Sequence, residues 1–129
     1  MSGLDEDILN ELVEASREYL GEIESFLRDE NGQCGPIDSE LWARFHRSVG
    51  GMRSGFGFFG YAGVVELSLV LESALLALER RDLDLSQELA AALLSGVTKL
   101  GAMIENREAS GTLEIKREVE GIQAFLTRG

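Results

Sequence analysis

One cysteine, one histidine and one proline in 129 residues close off several lines of chemistry at once. A single Cys34 excludes an intramolecular disulfide and a cysteine-rich zinc site, and it fits a reducing compartment. A lone His46 excludes a histidine-rich metal centre. Every apolar run is broken by Glu or Asp well short of the ~20 residues a bilayer span needs, so no membrane helix is expected. The first residues, Met1-Ser2-Gly3-Leu4-Asp5-Glu6-Asp7, lack the basic-then-apolar pattern of a secretory leader. Cations are scarce as well: 12 Lys and Arg stand against 23 Asp and Glu, for a net charge of −11. Phosphate binding needs clustered Lys and Arg, so nucleic acid is not an expected partner. No Ser-His-Asp order, Cys-His pair or phosphate loop ending in Gly-Lys-Ser/Thr occurs, which argues against a hydrolytic or redox enzyme. The expectation is one cytoplasmic domain over 1–129, with no metal, no cofactor and no membrane partner.

What is present is apolar periodicity. Hydrophobic residues make up 44% of the chain, enough for a sizeable core. Five segments, about 5–30, 38–59, 62–80, 86–106 and 112–127, carry apolar residues at steps of three and four. The first reads Ile8, Leu12, Ala15, Tyr19, Ile23, Phe26, with acids between; the second reads Leu41, Phe45, Val49, Met52, Phe56, Phe59. The third carries Val64, Leu67, Leu71, Leu75 and Leu78, and the fourth Leu89, Leu93, Val97, Leu100 and Ile104. The fifth carries Ile115, Val119, Ile122 and Leu126. Asp38 or Ser39 is placed to cap the second helix and Ser86 the fourth. Breaks fall at 31–36 and around Ser110-Gly111, and strand signals are absent. The fold class is therefore all-α: an antiparallel four-helix bundle with a fifth helix.

Charge is uneven along this bundle. Residues 1–33 hold ten acids and two bases, whereas 37–61 hold two acids and the three bases Arg44, Arg47 and Arg53. The second segment is either an ordinary fluctuation or a docking surface for an acidic partner. It also holds five glycines in eleven residues, Gly50-Gly51-Met52-Arg53-Ser54-Gly55-Phe56-Gly57-Phe58-Phe59-Gly60. Each interior helix glycine costs about 1 kcal/mol relative to Ala. The apolar spacing nevertheless runs through to Phe59. At 100° per residue, His46, Gly50, Arg53, Gly57 and Gly60 fall within about 40° of one line, roughly 100° from the core stripe. That flank either packs against a neighbouring helix or forms a flat, one-cation surface for a partner.

The stretch His46-Arg47-Ser48-Val49-Gly50-Gly51-Met52-Arg53-Ser54, then Gly55-Phe56-Gly57-Phe58-Phe59-Gly60-Tyr61, resembles the histidine-containing phosphotransfer (HPt) domain. The resemblance is especially to the type at the N-terminus of CheA-like chemotaxis histidine kinases. The match continues without a gap to Glu72 and to Arg80-Arg81-Asp82-Leu83. The detailed likeness covers about forty residues, and the five-helix plan covers the chain. The resemblance implies a phosphorelay domain whose partner is the receiver domain of a response regulator or a histidine kinase domain. In this register the phosphorylatable histidine is Gly50 and the family's lysine is Arg53, which keeps the charge but not the compact ammonium. Glycine offers no atom to accept a phosphoryl group.

His46 lies one turn away on the same flank, about 5–6 Å along the axis, whereas in-line transfer needs reacting atoms about 3–3.5 Å apart. Three functions remain open at this level. The favoured one is a docking module without the phospho-histidine, contacting its partner through His46, Gly50, Arg53, Gly57 and Gly60. The others are phosphotransfer through His46, and a structural or homodimerising bundle whose glycine flank packs on itself. Arg53 reads either as a solvated arginine or as the cation for a receiver's aspartate cluster. Glu72 reads as a solvated or capping acid, and Trp42 and Tyr61 as core or rim aromatics. No nucleophilic role is assigned to Cys34.

Overall fold

Stripes of Leu, Val, Ile and Phe at helical spacing need partners to cover them, and five helices supply these for one another. The computed structural model describes residues 3–29, 39–107 and 114–128. The helices are α1 (Gly3–Asp29), α2 (Ser39–Phe58), α3 (Ala62–Glu79), α4 (Gln87–Glu105) and α5 (Lys116–Arg128). Among the described residues there is no strand. Helices α1 to α4 close into a ring, α1 against α2 and α4, and α3 against α2 and α4, while α5 lies across α3 and α4. The expected breaks at 31–36 and 110–111, Cys34 and the Asp38 cap lie outside the described residues. The fifth helix was expected from about 112; Glu114 and Ile115 are not helical, and it starts at Lys116.

The core follows the stripes of α2, α3 and α4. Phe45, Val49, Met52 and Phe56 are buried from α2; Val64, Leu67, Leu71, Leu75 and Leu78 from α3; and Leu89, Leu93, Val97, Leu100 and Ile104 from α4. Trp42 joins them, its ring edge-on to Phe26 and Phe45 at centroid distances of 5.4 and 6.1 Å. The stripe expected on α1 is displaced. Leu9, Val13, Ser16, Leu20, Ile23 and Leu27 are the buried set, whereas Ile8 and Tyr19 are exposed. The first half of this helix has apolar residues side by side, Ile8-Leu9 and Leu12-Val13, so two adjacent stripes both satisfy the spacing. The ring of neighbours selects the one that alternates steps of four and three, the seam that suits nearly parallel helix axes.

Helix ends are fixed locally. The Ser86 hydroxyl accepts a hydrogen bond from the Leu89 N–H at 3.0 Å and caps α4 as its sequence suggests. Helix α2 stops on a Schellman turn: Tyr61 N–H donates to Phe56 C=O at 3.0 Å and Gly60 N–H to Gly57 C=O at 3.1 Å. Gly60 takes φ +85°, a backbone region open to glycine, and the Phe56 and Tyr61 rings meet at 6.0 Å across the turn. Helix α3 ends on a similar turn, with Arg81 at φ 63° where glycine would be at ease.

Candidate functional site

The glycine-rich flank of α2 lies along the seam with α3. A Cβ added at Gly50 would sit 2.9 Å from Glu72 Oε1, and one at Gly57 would sit 3.4 Å from Val65 Cγ2. The paired positions run in opposite directions along the two helices, as an antiparallel hairpin requires. Close packing by a neighbouring helix of the same bundle thus accounts for part of the glycine content. It does not bury the flank: His46, Gly50 and Arg53 are half-buried, and Gly57 and Gly60 are exposed. Gly60 is required by the turn that ends α2. Gly55 faces the other way, its added Cβ meeting Leu12 of α1 at 2.8 Å.

Arg53 is not a solitary cation. Its Nε donates to Glu72 Oε2, and its Nη2 lies 3.5 Å from Glu72 Oε1. The Glu72 side chain is only 13% exposed, so this acid is neither solvated nor a cap. The hydrogen bond to Glu72 and then its negative charge raise the Arg53 pKa, against a smaller opposing effect of burial. Glu72 therefore fills the space over the bare backbone of Gly50 and holds the guanidinium beside it. The flank reads in order as an imidazole, a glycine roofed by a carboxylate, an arginine closed onto that carboxylate, and two bare backbone positions.

This arrangement holds no nucleophile at position 50, and among the described residues no three metal-ligating side chains converge. Helical phase could not supply the Glu72 contact, because it depends on how α3 lies against α2. The other feature missed from the sequence is Phe58, the last residue of α2, whose side chain is 80% exposed. A signal for it was present, since position 58 lies well off the apolar stripe of its own helix. Trp42 belongs to the core, and Tyr61 packs on Phe56 at the turn.

No family model matches the sequence, and no curated protein does. Among solved structures, the solution structure of the histidine phosphotransfer domain of CheA has a similar fold, with a TM-score of 0.75 at 21% identity. The likeness covers 93% of this chain and 92% of that one. A four-helix ring with a fifth helix laid across it, matched over nearly its whole length, gives the chain the histidine phosphotransfer fold.

Proposed function

We propose that residues 1–129 act as one HPt-like module of a two-component phosphorelay, docking a receiver domain or a histidine kinase domain without carrying phosphate. The observation behind this reading is Gly50. In the register of the sequence resemblance it stands where a phospho-accepting histidine would be; the chain has the histidine phosphotransfer fold, and Glu72 lies over the bare backbone of Gly50. Transfer through the imidazole of His46 would start one turn out of register, about 5–6 Å from that position. A partner that binds here competes with, or scaffolds, phosphotransfer by other molecules. The cytoplasm, where such circuits operate, is the proposed location.

Titration of the chain against receiver and kinase domains encoded in the same genome tests the proposal. Saturable binding that Arg53→Glu weakens is the expected result, because the substitution sets two carboxylates together at the seam. Binding by none of these domains would end the reading. Gly50→His adds a second arm. Glu72 meets the new side chain with the free end of a flexible chain and can move aside, so the variant is expected to fold and to accept phosphate from a kinase.

A further inference from the structure

We infer that a second copy of this chain packs on the outer row of α3, antiparallel and related by a two-fold axis at Ser73. The row is Ala62, Glu66, Leu69, Ser73, Ala77 and the C-cap Arg80. At 100° per residue these positions fall within about 40° of one line. All are exposed except Ala77, which is half-buried. Leu69 keeps 47% of its surface open to water, although α2, α4 and α5 pack on the other sides of α3. A lone exposed leucine is ordinary. What distinguishes this one is the order of its neighbours.

That order is self-complementary. Leu69 and Ala77 stand four residues on either side of Ser73, and Glu66 and Arg80 seven. Antiparallel pairing about Ser73 therefore sets each Leu69 against the partner's Ala77 and each Glu66 against the partner's Arg80. Two ion pairs and two apolar contacts follow from one patch. Within the chain, neither Glu66 nor Arg80 forms an ion pair with another described residue. About 21 Å of helix separates them, so they cannot pair with each other. Ser73 is small enough to let two helices approach. Its hydroxyl already donates to Leu69 C=O at 3.1 Å, so it brings no unsatisfied donor to the axis.

Charge is judged locally here. The net −11 weighs equally against every acidic partner, a second copy included. Beyond about 8 Å such repulsion is largely screened at physiological salt. The acids of α1 lie across the ring from α3, and the row itself carries one acid and one cation. A foreign helix has no reason to match both halves of the pattern, whereas a second copy supplies them in the reversed order required. Docking of a phosphorelay domain is a separate event, and no such domain enters the test, so either reading can fail alone.

Sedimentation equilibrium of the chain across the micromolar range tests the inference, and a reversible dimer is expected. Leu69→Glu, at an exposed position, is expected to weaken the dimer tenfold or more with the melting temperature unchanged. Glu66→Arg alone and Arg80→Glu alone should each weaken it about tenfold, since each replaces two attractions by two repulsions. Two rescues are specific to the antiparallel register. The double variant with Glu66→Arg and Arg80→Glu should dimerise like the parent chain, and an equimolar mixture of the two single variants should form a mixed dimer. Ile8→Ala, on the exposed face of α1, should change nothing. A parent chain that stays monomeric across the range overturns the inference. A dimer that survives Leu69→Glu, or that neither rescue restores, overturns the α3 row.

Discussion

Gly50 and Gly96 meet a neighbour at the same distance and in opposite circumstances. A Cβ at Gly96 of α4 would lie 2.9 Å from Ile122 Cδ1 and 3.4 Å from Leu71 Cδ2, inside the packed centre where α3, α4 and α5 converge. A Cβ at Gly50 would lie 2.9 Å from a single carboxylate oxygen at the half-exposed α2–α3 seam. The first glycine exists so that three helices can close. The second leaves room for an ion pair where a bundle of this fold could carry a side chain. The centre is specified by volume and tolerates little change, whereas the seam is specified by polar contacts and open backbone and can be altered without unfolding the chain.

Substitutions spanning the two regions sharpen this contrast. Leu100→Ala, at a fully buried position of α4, is expected to cost about 2–5 kcal/mol in denaturant unfolding. Gly96→Val overfills the same region and is expected to cost about 1–3 kcal/mol. Gly60→Ala forces a side chain into the left-handed backbone of the α2 turn, for roughly 1–2 kcal/mol. Gly51→Ala should instead stabilise by up to about 1 kcal/mol, since the helix gains propensity and nothing stands within 4 Å. If Gly51→Ala destabilised as much as Gly96→Val, the contrast between the open backbone of α2 and the packed centre would be lost.

The smallest expected effect concerns acid. The exposed Arg17 guanidinium donates to Glu105 at 2.9 Å and joins α1 to α4. That hydrogen bond is the largest influence on Glu105 and holds its carboxyl below the ordinary 4.5. A depressed carboxyl pKa contributes stability that is complete above the ordinary value and is lost as pH falls through the lower, folded one. Arg17→Met should therefore lower the melting temperature slightly at neutral pH, and the difference should vanish in acid. Both side chains are about half exposed, so screening by salt should shrink it further.

The sequence was most legible where one helix face alone decides burial. The stripes of α3 and α4 and the Ser86 cap depend on local spacing, and the structure places them as read. On α1 the spacing was ambiguous, because adjacent apolar residues offered two stripes, and only the neighbouring helices choose between Ile8 and Leu9. The site was legible as a flank but not as chemistry. Helical phase groups His46, Gly50, Arg53, Gly57 and Gly60, yet it cannot say that Glu72, on the next helix, roofs one of them and pairs with another. Nor does a pattern built from buried residues draw notice to Phe58, which stands out only by being apolar and uncovered.

The central claim is that this fold binds a phosphorelay partner while accepting nothing at Gly50 or His46. It is tested most directly by mixing the chain with a phosphorylated receiver domain that binds it and weighing the recovered chain by mass spectrometry at neutral pH. The account expects a chain of unchanged mass throughout the period of binding. An acid-labile phosphoryl group on the parent chain, lost in His46→Gln, would contradict it.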